Sequence, residues 1–459
     1  MSVQPAIIPP TVEARCQAYG RLGVAFGLRF FLLLLVGLVW LGPAFINTRF
    51  LYAMLAWDVL VLLAWAVELA GLPKPSEITV ARAWTAPVAL SVPGEVELTV
   101  CNGSRNMIHT TVLEDVPQQL RPEMPSLELS VTARGEASKT YAVRPVRRGD
   151  VQVGSAYLRY EGPFRIAQRW ASAALEQTVR VYPNLREAQR HAIYLTRSRQ
   201  IELEKRYTKI RGAGREFDSL REYRPGDEIR DVCWTASARR GKPVTKLYQM
   251  ERSQTVWVVV DCGRLMRTRV ADLSKIDYAA NAALSLAQVA LWSGDRVGLL
   301  AYGRKVRRRV LPHRGSTHLR QFIEALALVE EETSEADHLQ AASVLLSSQK
   351  RRSLVVWITD LAETARTPEV IRAASEMMPR HLVLLVVIGQ PDLARLAATE
   401  PQDARQMFET VAAQEVIHRR ELLLARLRQQ GALTLEVASV TVSTAVVNAY
   451  LQVKQRSQL

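Results

Sequence analysis

Two aspartates carry the clearest chemical potential in this chain. Asp261 follows the apolar run at 255–260, and Asp360 follows the run at 354–359. Both runs are continuous and rich in β-branched residues, as parallel strands buried on both faces are. Each carboxylate therefore stands just past the C-terminal end of such a strand. In an open parallel sheet the ligand crevice lies at that edge, and two carboxylates there can hold a hard divalent cation if hydroxyls or waters complete the oxygen shell. A second set of acids, Glu216, Asp227 and Asp231, lies in a stretch mixing arginines, glycines and aromatic residues. That carboxylate density admits a hydrolase as an alternative, but no nucleophile–base–orienter set accompanies it, so no catalytic residue is assigned and no enzyme is expected. Asp58 lies within an apolar run, where an ionisable group is either functional or turned toward a helical neighbour; the latter is the expectation here. His109 is an isolated histidine on a strand.

The elements that position these groups follow from periodicity. Beyond residue 254, strands expected at 255–260, 297–302, 354–359, 381–388 and 433–437 alternate with helices at 275–292, 317–330, 339–346 and 414–429. This alternation predicts an α/β unit with a doubly wound, mostly parallel sheet. Between 76 and 183 the period changes to two. Val96, Leu98 and Val100 alternate with Glu95, Glu97 and Thr99, and runs at 108–113, 139–146 and 151–160 behave alike, predicting a β-sandwich. Before it come two apolar runs, 30–46 and 51–72, joined by a short turn around Asn47-Thr48-Arg49. Spanning a bilayer takes roughly 20 residues, so these predict a transmembrane helix hairpin. Arg15, Arg21 and Arg29 precede it and Lys74 and Arg82 follow it, which places both ends in the cytoplasm by the positive-inside bias. The expected organisation is a cytoplasmic N-terminal segment (1–29), the hairpin (30–72), the sandwich (76–183), a connecting segment (184–253) and the α/β domain (254–459).

The chain has 459 residues, 48 % of them hydrophobic, enough for two or three packed domains. Its four cysteines are scattered without a Cys-x-x-Cys pair, a spacing that argues against a zinc site or a disulfide framework. The net charge of +15 attracts anionic lipid or nucleic acid alike. Residues 180–252 hold 18 basic and 10 acidic residues. The interleaved acids weaken a continuous phosphate track, so nucleic acid is not the expected partner, whereas inner-membrane lipid is. Gly212-Ala213-Gly214 is not followed by Gly-Lys-Ser/Thr, which argues against a nucleotide loop.

The stretch at 212–252 resembles the signature of the bacterial domain-of-unknown-function family fifty-eight. The matching positions are Gly212, Gly214, Glu216, Phe217, Leu220, Arg221, Tyr223, Gly226, Asp227, Arg230, Trp234, Ala238 and Arg239. Read from the residues alone, this signature is either a mesh of Arg221, Arg224 and Arg230 with Glu216, Asp218 and Asp231, or an arginine-rich contact surface for a partner. The resemblance implies a von Willebrand A-like α/β domain, a β-sandwich and a membrane hairpin. It also implies a scaffold or adaptor without established enzymatic activity, in the inner membrane, working with a MoxR-type AAA+ ATPase and other von Willebrand A-domain membrane proteins on envelope-associated complexes. The von Willebrand A fold builds a metal site from an Asp-x-Ser-x-Ser turn, a distant threonine and a distant aspartate. Here the turn reads Asp261-Cys262-Gly263-Arg264-Leu265, Thr317 is matched to the distant threonine, and Asp360 is the distant acid. With both serine positions lost, this would be a weak magnesium site, and no cofactor is expected.

Overall fold

The computed structural model describes residues 8–20, 23–44, 46–184, 216–224, 229–249, 254–361 and 367–456. The chain divides into two compact units, Met1–Tyr182 and Pro183–Leu459.

In the first unit, strands β1 (Val12–Ala18) and β2 (Val24–Phe26) precede the apolar helices α1 (Leu28–Gly37), α2 (Leu41–Ala44) and α3 (Arg49–Gly71). Nine further strands follow: β3 (Ile78–Trp84), β4 (Gly94–Asn102), β5 (Ile108–Glu114), β6 (Ser126–Val131), β7 (Glu136–Val143), β8 (Gly149–Val153), β9 (Ala156–Glu161), β10 (Ala167–Ala173) and β11 (Gln177–Val181). They pair in the order β6-β5-β9-β10-β1-β3-β4-β7, with β2 also on β10 and a separate β8–β11 pair. The alternation in β4 turns Val96, Leu98 and Val100 inward, all fully buried. The expected strand at 151–160 is two strands, β8 and β9, interrupted at Gly154-Ser155.

The N-terminal segment departs from expectation. Residues 12–18 are not a separate tail but a strand of this unit. Val12–Arg15 pair antiparallel with Thr79–Arg82 of β3, and Cys16–Ala18 pair with Ala171–Ala173 of β10. One strand thus passes from one sheet to the other, and the apolar helices are an insertion between β2 and β3.

Helix α3 has 23 residues, roughly 34 Å at 1.5 Å per residue, against about 30 Å of hydrocarbon. It is long and apolar enough to cross a membrane, with a mean hydropathy of 2.0 over its most apolar window and only 6 % of that window buried. The first apolar run is as long as expected but not one regular helix: Leu28–Ala44 contains a tightened turn at Leu38–Trp40. The helices run antiparallel. The indole of Trp65 donates to the Ala25 carbonyl, that of Trp57 to the Leu33 carbonyl, and Trp40 stacks on Phe50. Asp58 faces α1, its carboxylate 3.1 Å from where a Cβ on Gly37 would lie.

A second acid in this run, Glu68, does what the sequence reading did not foresee. Its carboxylate accepts the backbone N–H groups of Phe164, Arg165, Ile166 and Ala167 at 2.8–3.0 Å. A Cβ on Gly162 would stand 2.5 Å from that carboxylate, so a larger residue there would push Glu68 off its amides. The end of α3 is also held by Arg169 on the Leu69 carbonyl, Asn106 on that of Gly71 and Tyr160 on that of Pro73.

In the second unit, β12 (Glu216–Glu222) pairs antiparallel with β13 (Val244–Gln249) around the short helix α4 (Trp234–Arg240). The connecting segment is therefore partly ordered secondary structure. The main sheet comprises β14 (Thr255–Asp261), β17 (Arg296–Tyr302), β18 (Val306–His313), β19 (Leu354–Thr359), β20 (Leu382–Gly389) and β21 (Leu433–Ala438), in the order β18-β17-β14-β19-β20-β21. All neighbours are parallel except the edge strand β18, an antiparallel arginine-rich strand absent from the sequence expectation. The two-residue strands β15 (Arg269–Val270) and β16 (Leu273–Ser274) form a small turn. Helices α5 (Lys275–Trp292), α6 (Ser316–Ala327) and α11 (Val442–Gln455) pack together beside the sheet. Helices α7 (His338–Ser348), α8 (Thr367–Met377) and α10 (Ala404–Gln429) share a core with Trp257, Val259, Val355, Trp357 and Leu385. Between β20 and α10 lies α9 (Pro391–Ala398). Neither α9 nor α11 was anticipated, and α10 begins ten residues earlier than expected.

Candidate functional site

The strand order reverses at β14: the chain adds β17 on one side of it and β19 on the other. A crevice opens at such a switch point, at the C-terminal ends of the strands, and Asp261 and Asp360 both stand there. The sheet's apolar sequence explains their placement. Val256–Val260 and Leu354–Ile358 are almost wholly buried, so the first acid after each run marks where the strand leaves the core.

Both carboxylates are held by partners from the chain itself. Asp261 Oδ1 accepts the Gly263 N–H at 2.7 Å, and Oδ2 accepts the Thr359 hydroxyl at 2.6 Å. Burial pushes its carboxyl up to about 6, a rise that Thr359 and Gly263 oppose and the charges of Asp360 and Glu332 reinforce. Asp360 Oδ2 accepts from Lys275 Nζ at 2.6 Å. Its Oδ1 accepts from Arg420 Nη2 at 3.2 Å, while Arg420 Nε donates to the Leu361 carbonyl at 3.0 Å. Lys275 is fully buried; burial draws its ammonium below the ordinary lysine range, against the pull of Asp360. Helix α5 aims this lysine inward because its start is fixed by a capping box, Ser274 with Asp277.

The turn after Asp261 meets the segment 332–337. Glu332 N–H donates to the Cys262 carbonyl at 2.7 Å, and Arg264 N–H to that of Ser334 at 2.9 Å. The Arg264 guanidinium pairs with Glu335 at 2.8 Å, and Arg307 pairs with Glu332. A Cβ on Gly263 would stand 2.9 Å from the Ala336 nitrogen, which accounts for glycine at that position of the turn. Thr317 does not take the part assigned to it. It is an exposed residue in the first turn of α6, and the hydroxyl that reaches Asp261 belongs to Thr359.

The two aspartates do not fit a divalent centre. Among the described residues no group of three or more His, Cys, Asp or Glu converges as metal ligands. Asp360 has one oxygen on an ammonium and the other on a guanidinium, and the turn supplies no side-chain hydroxyl. Magnesium needs a near-complete octahedral oxygen shell, which this donor set does not offer.

Of the signature residues, Glu216 and Phe217 lie on β12, where the register shifts between Phe217 and Ser219. Arg221, also on β12, donates to the Glu222 carbonyl at 3.3 Å, and Tyr223 N–H donates to that of Pro243 at 2.9 Å. Arg230 lies in a tightened turn, and Trp234 and Arg239 on α4. Gly212, Gly214, Gly226 and Asp227 lie outside the described residues. Helix α4 is tied to β13 through Ser237, whose hydroxyl donates to the Cys233 carbonyl and accepts the Val244 N–H; it ends on Gly241 in the left-handed region, as a C-terminal cap requires. Ile229 and Trp234, beside these charged residues, are 71 % and 69 % exposed.

Comparison with known proteins places residues 219–418 in a match to the family described as "Protein of unknown function DUF58". The matched segment runs from β12 into α10 and includes both crevice aspartates. The uncharacterized proteins Mb1516 of Mycobacterium bovis and Rv1480 of Mycobacterium tuberculosis are each 27 % identical over 184 residues, 40 % of this chain and 57 % of theirs. The chain thus covers little more than half the length of these relatives. Among solved structures, the conserved hypothetical protein BatB from Bacteroides thetaiotaomicron aligns at 12 % identity and a TM-score of 0.31, over 44 % of this chain and 100 % of that one. The vWF domain of the type V pili tip protein Mfa5 from Porphyromonas gingivalis aligns at 9 % identity and 0.31, over 44 % and 95 %.

Proposed function

We propose that this chain is a membrane-anchored adaptor that binds protein partners and does not transform a substrate. Its second unit is read as von Willebrand A-like on its strand order and on the acids at its switch point. In this reading it works with a MoxR-type AAA+ ATPase and other von Willebrand A-domain membrane proteins on envelope-associated complexes. The observation that carries the binding role is the exposure of Ile229 and Trp234 within six residues of each other, in an arginine-rich segment. Tryptophan and arginine are the side chains most often found at interface hot spots. The committed partners of Asp261 and Asp360 support the same reading, because neither acid is available as a base or nucleophile.

Anchoring by two crossings is supported by the pairing of β1 with β3. These strands flank the apolar helices, so both ends of that insertion emerge on one side; a single crossing by α3 would separate two strands that are hydrogen-bonded together. The positive-inside bias makes that side the cytoplasm, in the inner membrane.

Affinity purification of the full chain from membranes, with mass spectrometry of what co-elutes, tests the proposal. Trp234→Ala and Arg221→Ala should each lower partner recovery severalfold, and Asp261→Ala should lower it if the crevice shares the contact. Unchanged recovery with Trp234→Ala and Arg221→Ala would remove the signature from the interface, and a C-terminal reporter reading outside the cytoplasm would refute the topology.

A further inference from the structure

The C-terminal edge of the α/β sheet contains a cation that belongs to the chain. Lys275 opens α5, its side chain is wholly excluded from solvent, and its nitrogen stands 2.6 Å from Asp360 Oδ2. Arg420, itself almost entirely buried, reaches the other oxygen of the same carboxylate from α10. Three elements that are distant in sequence, the end of β19, the start of α5 and the middle of α10, thus converge on one acid at the switch point. Thr359, the residue before that acid, donates its hydroxyl across to Asp261, tying the two strand ends together.

We infer that the Lys275 ammonium stands in for a divalent ion at this edge, so that the crevice keeps its geometry without metal. A metal ion links acids from separate strands by taking their lone pairs; here the ammonium and the guanidinium take those of Asp360, and the threonine hydroxyl takes the outer oxygen of Asp261. Asp360 already has a cation on each oxygen, Lys275 on one and Arg420 on the other, and Arg420 also reaches Glu436 at 3.5 Å. A divalent ion entering beside Asp360 would meet both positive groups at close range in a medium of low dielectric, where such repulsion is far stronger than in water. It would also have to displace the buried Lys275 from its bond to Asp360. Anything that engages this edge therefore does so in chelator as well as in magnesium. The inference concerns the edge alone and stands whether or not the signature segment contacts a partner.

Lys275→Ala is the decisive substitution, because it removes the tethered cation and frees Oδ2 of Asp360. The full-length protein in detergent is titrated with Mn²⁺, bound ion is read by electron paramagnetic resonance, and each protein is compared with its Asp360→Asn counterpart. The wild type should take up no Mn²⁺ that depends on Asp360, and its thermal unfolding should be the same in Mn²⁺ and in EDTA. Lys275→Ala should unfold at lower temperature, gain one Asp360-dependent Mn²⁺, and recover part of the lost stability when Mn²⁺ is present. Asp360-dependent uptake by the wild type would overturn the inference, as would a folded Lys275→Ala protein that gains no ion. Should Lys275→Ala not fold, the wild-type titration still decides whether the edge works without metal.

Discussion

The Arg82–Glu114 pair in the first unit and the Lys275–Asp360 pair in the second each remove a positive and a negative side chain from water, and all four are at most 5 % exposed. Their surroundings differ. Arg82 uses its planar fork fully: besides Glu114, it donates to the Leu175 carbonyl at 2.7 Å and to that of Gly154 at 2.8 Å. It stitches two chain segments to β3 in the middle of a β layer. Lys275 makes its bond to Asp360 at the rim of a sheet, where the topology opens a crevice. An arginine suits the first place because three acceptors surround it, and a lysine suits the second because one compact charge fills a small space. Equal burial therefore does not imply equal purpose: one pair completes backbone hydrogen bonding, and the other fills a position where a ligand would otherwise bind.

Breaking the pairs singly and then doubly separates these roles, and carries the largest expected effect. Removing one partner of a buried ion pair costs about 3–5 kcal/mol, because the other charge is left uncompensated. Lys275→Met and Arg82→Met should each destabilise their unit by about that amount, read by chemical denaturation. Adding Asp360→Asn to the first should recover part of the loss, limited by the buried Arg420, which then keeps only an amide oxygen at that position. Adding Glu114→Gln to the second should recover less, because the Leu175 and Gly154 carbonyls lose their donors, each worth about 1–3 kcal/mol when buried. Equal recovery in both would erase the distinction.

A third acid sharpens the contrast with an intermediate effect. Glu68 pairs with no cation among the described residues; it accepts four consecutive backbone amides. Glu68→Gln keeps the shape and removes the charge, and hydrogen bonds to charged groups are worth about 1.5–3 kcal/mol. The expected outcome is faster hydrogen exchange at Phe164–Ala167, with the β4–β7 ladder unaffected.

The smallest effect concerns pH. Asp261 has its carboxyl pushed up to about 6 by burial, above the roughly 3.9 of an unfolded aspartate. The folded state then binds more protons than the unfolded state between those values, so this group's stabilising contribution is complete below about pH 4 and is lost as pH rises through about 6. Neighbouring Asp360 and Glu332 face the same site and are present in both proteins under comparison. The difference in unfolding free energy between wild type and Asp261→Asn should therefore slope across pH 4–6 and be flat above it; a flat difference throughout would mean that Asp261 ionises normally.

Much of this was legible in the sequence, and the exceptions have physical causes. Runs such as TVWVVV and LVVWIT announce their burial, so the acids that end them were located correctly. Val96, Leu98 and Val100 revealed the face of β4 because alternation has a single meaning at that length. Lys275 was not legible: a lysine opening a helix ordinarily points to solvent, and only the tertiary fold brings Asp360 within its reach. The same holds for Arg420 in the middle of α10. Strand β1 was hidden because seven residues of mixed polarity carry little periodic signal and its partners lie beyond the apolar insertion. Strand β18 reads as a run of arginines, the composition that keeps an exposed sheet edge from pairing further. Thr317 was chosen on residue type, whereas the threonine that serves Asp261 sits beside the very acid it helps to join.

The first strand also sets the order in which the molecule can be built. Residues 12–18 leave the ribosome before either neighbour exists, and the last of those neighbours, Ala167–Ala173, follows more than 150 residues later. At ~5–20 residues per second of synthesis, that is a wait of roughly 8–30 s. Early in it the apolar helices emerge, then β3 becomes available to Val12–Arg15, while Cys16–Ala18 still await β10. The second half of β1 is thus closed late, by a strand made after all but β11 of the unit's other strands.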